Sequence, residues 1–100
     1  MIDTIPPEAS NLLKPDNGSI LIDATPTFSW SSAQGADRYL LIVDSDQTFS
    51  SPEIENFLNE TTFTPTASLS AGTYYWVVYS VDNAFNGTTS ATRVFTIQGG

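Results

Sequence analysis

The chain has 100 residues and a formal net charge of −8, from eleven acidic residues against three Lys and Arg. Such a surface repels phosphate backbones and anionic lipid, so neither nucleic acid nor membrane is an expected partner. Cysteine and histidine are both absent, which excludes disulfides, thiolate chemistry and every Ser-His or Cys-His nucleophile system.

Residues 1–8 read as a linker, because Pro6-Pro7 favours extended, semi-rigid geometry. The linker-like start and the terminal Gly99-Gly100 suggest a piece of a longer protein, with one domain over 9–98 and a tail at 99–100. Asn11 to Lys14 is a short apolar edge segment, and Pro15-Asp16-Asn17-Gly18 is a turn signal. Ile20-Leu21-Ile22 is a short strand candidate. Asp23-Ala24-Thr25-Pro26 turns again, and Thr27 to Ser31 alternates so that Phe28 and Trp30 share a face.

Ser32 to Asp37 is a loop. Arg38 to Val43 is a central strand with Tyr39, Leu41 and Val43 inward and Leu40 and Ile42 on the opposite face. Asp44-Ser45-Asp46-Gln47 turns the chain. Between Thr48 and Leu58 the pattern leaves open a short edge strand or an irregular crossing, anchored by Phe49, Ile54 and Phe57. Glu60 to Thr64 is strand-like by composition.

The run from Leu69 to Asp82 is the most informative. A strand buries alternate residues of such a run, whereas a helix would have to bury every side. The preferred register sets Tyr74, Trp76, Val78 and Ser80 inward, and Tyr75, Val77, Tyr79 and Val81 outward. Asp82 to Thr88 is a loop, and Ala91 to Ile97 is the last strand, with Phe95 and Ile97 inward. No helical period lasts two turns, and no apolar run approaches a membrane span. The spaced short strands predict an all-β, antiparallel sandwich of about seven strands.

Several segments together resemble a fibronectin type III domain of the kind found in bacterial and archaeal surface proteins and secreted enzymes. They are Leu13 to Gly18, Thr25 to Trp30, Ala36 to Val43, Leu69 to Trp76 with Ser80 to Asp82, and Ser90 to Ile97. The resemblance implies a two-sheet Greek-key, immunoglobulin-like sandwich. It implies that Trp30 is the buried tryptophan of the second strand and that Tyr74 is a corner tyrosine, bonding backbone near Leu69. A six-residue spacing from Leu69, common in animal members, would choose Tyr75 instead. Tyr39 and Trp76 complete the expected structural set. The adhesive Arg-Gly-Asp is missing from the loop at Asp82 to Thr88, so integrin binding is not carried over.

Candidate chemistry is sparse. Asp44 and Asp46 offer oxygen ligands for calcium but lack the further oxygens, central Gly and terminal Glu of a loop site. An acidic turn explains them as well. Asp82, with Asn83 and Asp37, forms a second weak metal candidate. Tyr75 and Tyr79 form a candidate aromatic strip that Leu40 and Ile42 extend, open to a sugar or a protein. Its alternative is cover by a neighbouring domain or by the segment carrying Phe57. Phe85 at a loop tip reads as a packing plug or a contact. Asn17, Asn59 and Asn86 begin glycosylation sequons, and turn geometry already explains Asn-Gly in two of them.

The expected protein is therefore a non-catalytic extracellular or cell-surface module that needs no cofactor. It would act as a spacer or interaction domain, with neighbouring domains of the same chain as partners. The alternative is a carbohydrate-binding or adhesive module using the aromatic face.

Overall fold

Alternation along the longest apolar run sets the layout. In the computed structural model, which describes residues 6–84 and 86–98, that run is β7 (Gly72–Val81). Tyr74, Trp76, Val78 and Ser80 are buried on one face. β7 pairs antiparallel with β4 (Arg38–Asp44) from Arg38 opposite Val81 to Asp44 opposite Tyr75. This register sets Tyr39, Leu41 and Val43 inward beside the buried face of β7.

Nine strands form two sheets among the described residues. One sheet has the order β1 (Leu12–Lys14), β3 (Phe28–Trp30), β6 (Thr62–Phe63). The other has the order β2 (Ser19–Leu21), β9 (Arg93–Ile97), β7, β4, β5 (Ile54–Leu58), with β8 (Gly87–Thr89) on the end of β7. The chain therefore folds as a fibronectin type III-like, all-β sandwich.

Aromatic rings from both sheets fill the space between them. Phe28 meets Trp76 and Phe95 edge-on, with centroids 5.2 and 5.6 Å apart. Tyr74 stacks on Phe95 at 5.6 Å, and Trp30 meets Tyr39 edge-on at 6.1 Å. Neither indole N–H of Trp30 and Trp76 has an acceptor among the described residues. Such an orphan costs about 1–3 kcal/mol. Burying the 150–250 Å² of an aromatic side chain returns about 4–6 kcal/mol at 25 cal/mol/Å². The apolar term wins, which is why indoles can fill this core.

The structure departs from sequence expectation at the edges. The sandwich is antiparallel except where β2 runs parallel to β9, Ser19 to Leu21 beside Phe95 to Ile97. After β1 the chain crosses from one sheet to the other through the cis Lys14–Pro15 bond and a turn closed by Gly18, whose φ is +80°. Strands exceed about seven because the last one is split. At the break, Ser90 N–H donates to the Val78 carbonyl at 2.9 Å and the Val78 N–H donates to Ser90 Oγ at 2.9 Å. A side-chain hydroxyl thus stands in for a backbone acceptor, and Gly87–Thr89 becomes β8, taking in Gly87 and Thr88 from the end of the expected loop. The open choice over Thr48 to Leu58 resolves as edge strand β5 after an irregular turn. Its expected anchor Phe57 points outward at 61% exposure, while Ile54 is buried.

The registers also fix the two ends of the sandwich. β7 rises from Gly72 to Val81, and β4 and β9 descend beside it. Residues 31–37, 82–84 and 86 therefore share one pole. Residues 44–53 and 64–71 share the other, where β9 ends. The long axis is 54 Å, against 23 and 22 Å across.

Candidate functional site

The acidic candidates act as loop fasteners. Asp44 has the outward parity of β4 but is only 1% exposed. Its Oδ1 accepts from the Asp46 N–H at 3.0 Å and its Oδ2 from the Ser51 N–H at 2.9 Å. Asp46 accepts from the Thr48 N–H and the Ser50 hydroxyl, each at 3.0 Å. The Thr48 backbone bond, then the Thr48 and Ser50 side chains, hold the Asp46 carboxyl below its ordinary range. Short polar side chains bonding backbone two residues on are the usual chemistry of such turns.

The same logic closes the opposite pole. Asp82 Oδ1 accepts from the Ala84 and Asn86 N–H groups, both at 2.9 Å, and its Oδ2 accepts from Asn86 Nδ2 at 3.1 Å. Asp37 Oδ2 accepts from the Asn83 N–H at 2.8 Å. The fold brings Asp37, Asp82 and Asn83 together and leaves Asp44 and Asp46 at the far end. No three carboxylates converge on a metal-sized site among the described residues. Phe85, the candidate contact at the loop tip, lies outside the described residues.

The outward face of the larger sheet carries the aromatic candidates. Cross-strand pairing lines up Phe57, Leu40 and Tyr79 in one row and Glu55, Ile42 and Val77 in the next. Ile42 and Val77 are buried on this outward face. Their same-face neighbours Leu40, Tyr75 and Tyr79 are half-buried, so the strip spends part of its ring area sheltering its own centre. The Tyr75 hydroxyl accepts from Gln47 Nε2 at 3.4 Å. The Arg38 guanidinium sits 5.5 Å from the Phe57 ring centroid, within cation–π range.

A groove of about 790 Å³ lies at the pole of residues 44–53 and 64–71, lined in part by Glu53, Ile54, Phe63, Leu69 and Tyr74. Glu53 Oε2 there accepts from the Ser45 N–H at 3.1 Å. The Tyr74 hydroxyl donates to the Ser70 carbonyl at 2.7 Å, next to buried Leu69. Burial, followed by the nearby Glu53 charge, pushes the Tyr74 phenol above its ordinary value. Tyr39 does the corresponding work at the other pole, where its hydroxyl accepts from the Ala33 N–H at 2.9 Å.

This geometry has relatives. The sequence model of a bacterial Ig-like domain matches residues 8–98. The chain belongs to the bacterial Ig-like domain family. Its fold is shared by an Fn3-like protein from Clostridium thermocellum, at 20% identity and TM-score 0.69, covering 95% of this chain and 97% of that one. The fibronectin type-III domain of human fibronectin type III domain containing protein 3 is similar at 14% identity and TM-score 0.66, covering 98% and 92%. An alpha-L-rhamnosidase from Dictyoglumus thermophilum matches at 15% identity and TM-score 0.65, over 93% of this chain. The Ig-like chain spans 12% of that enzyme's length. A search of curated proteins finds no match.

Sequence reasoning missed three residue sets around this Ig-like frame. Pro7 packs against Gly35 and Thr88, Ser10 meets Ser80, and Ser90 splits the last strand. The small residues at 35, 80 and 90 are the signal, since a glycine or serine amid apolar strands marks a close approach or a polar bond.

Proposed function

We propose that this Ig-like domain is a non-catalytic spacer module of a larger surface or secreted protein. The observation that carries the reading is the placement of the chain's entry and exit. Pro7 lies at the pole of residues 31–37 and 82–84, and β9 runs toward the opposite pole, so neighbouring domains would join in series along the 54 Å axis. Load applied through those ends runs along the strands. It shears the parallel β2–β9 pairing, in which all the backbone bonds share the force. The net charge of −8 keeps such an extended chain soluble. The rhamnosidase, in which a similar sandwich is a small fraction of the chain, supports a role as one part among others.

Joining two copies head to tail and measuring solution scattering tests this. The maximum dimension should roughly double the 54 Å axis of one copy. A folded-back pair, with little gain in length, would reject the spacer.

The row Phe57, Leu40 and Tyr79 favours one second reading, an adhesive or carbohydrate-binding face. Phe57 is the exposed ring of that row, and flat rings suit sugar faces. Polysaccharide pull-down that is lost in Tyr79→Ala would support it.

A further inference from the structure

The segment leading into β1 is fastened to the sandwich at four residues. Pro7 is buried. Its carbonyl accepts from Thr88 Oγ1 at 2.6 Å. The Glu8 N–H donates to the Gln34 carbonyl at 3.0 Å. Ser10 is buried, and its hydroxyl meets that of buried Ser80 at 3.3 Å. Asn11 then bonds Ser31 in both directions, its carbonyl accepting from the Ser31 N–H at 2.8 Å and its N–H donating to Ser31 Oγ at 2.9 Å.

Gly35 makes room for this path. Its φ is +89°, which an L side chain seldom adopts. A Cβ there would stand 3.4 Å from Pro7 Cα. Pro7 itself has a fixed φ and no N–H to satisfy, so it can be buried at this position with its carbonyl as the only backbone polar group in need of a partner.

We infer that residues 7–11 form a strap that locks the direction in which the chain enters the module. The strap spans the loop before β4 and strand β8. Gln34 and Gly35 lie before β4, and Thr88 lies in β8 after β7. The Asn83 N–H bond to Asp37 and the Asp37 N–H bond to the Val81 carbonyl at 2.8 Å already join the loop before β4 to the end of β7 and the loop that leads into β8. Strap and loops are thus one hydrogen-bonded cap. The direction of the chain at Pro7 is thereby fixed relative to the sandwich, which stiffens this module's side of any joint with a preceding domain. The consequence for a preceding domain rests on the spacer reading, but the strap itself does not.

Amide hydrogen exchange of the 100-residue chain, read by NMR, tests the strap. The Glu8 amide should exchange far more slowly than in a free peptide. Thr88→Val keeps the β-branched shape and removes the donor to Pro7. It should speed Glu8 exchange about two- to tenfold, the factor one net hydrogen bond carries, with core amides of β4 slowed as before. Equal acceleration at both would also support the strap, since it would then open only with the whole sandwich. Gly35→Ala, which strains the +89° backbone next to the Gln34 carbonyl that holds Glu8, should act in the same direction. Glu8 exchanging at the free-peptide rate in the unmodified chain would overturn the proposal, as would a Glu8 rate indifferent to both substitutions. A tandem that folds back while Glu8 stays protected would fault the spacer alone. An extended tandem with an unprotected Glu8 would fault the strap alone.

Discussion

Asp44→Asn separates a loop fastener from a metal ligand. The native carboxylate accepts two backbone N–H bonds, from Asp46 and Ser51, while only 1% exposed. Hydrogen bonds to a charged acceptor contribute about 1.5–3 kcal/mol each. The amide retains one acceptor oxygen and turns an NH2 group toward the other donor. One bond is lost and the other becomes neutral, while removing a buried charge returns part of the cost. The net loss should be about 1.5–3 kcal/mol. At about 4–8 °C per kcal/mol for a domain this size, Tm should fall by roughly 6–24 °C. Calcium provides the counter-test. A site with a Kd near 10 μM would stabilise the native protein by about 2.7 kcal/mol at 1 mM calcium. Because both oxygens are already engaged, calcium should leave Tm unchanged within about 1 °C. An Asn variant melting within about 2 °C of the native protein, or a calcium-induced rise of about 10 °C or more, would refute the reasoning.

Tyr74→Phe removes the bond to the Ser70 carbonyl and should cost about 0.5–1.5 kcal/mol in chemical denaturation; Tyr75→Phe should cost less, since its hydroxyl has only a long contact at 3.4 Å. Stability should also fall as pH rises above about 10. There the unfolded Tyr74 releases its proton while the folded one, with its raised pKa, still holds it, so the folded state binds more protons and the slope is negative. Tyr74→Phe should flatten that alkaline limb in a pH series of melts. Phe28→Ala empties the position between Trp76 and Phe95 and should cost about 3–5 kcal/mol; a loss below about 1 kcal/mol would mean that the rings do not pack as described. Tyr79→Ala should leave the domain folded by near-UV circular dichroism, because Tyr79 is half-buried on the outward face.

The central layers were legible because their strands alternate strictly. Once Trp76 is inward, Tyr74, Val78 and Ser80 follow, and a one-residue slip would expose them all. The facing strand obeys the same rule at Tyr39, Leu41 and Val43. The edges were less legible for a physical reason. An edge strand such as β5 has one partner, so a single residue like Ile54 can hold it while Phe57 faces solvent. The parallel course of β2 depends on a switch between sheets that no local period records. Among the candidate residues, the acids could be seen but not their partners. Asp44 reads as a surface carboxylate until the backbone of residues 46–51 folds over it. The strap was hidden because Pro-Pro signals extended chain equally well whether it is free or docked.

Pulling the domain by its two ends tests the central claim most directly, that one sandwich bears load in series along its length. Fully extended, residues 8–98 span roughly 300–330 Å at 3.3–3.6 Å each, against a folded axis of 54 Å. The account predicts a single cooperative unfolding step that lengthens the chain by about 250–270 Å. Gradual extension without a force peak, or a step much shorter than that, would contradict it.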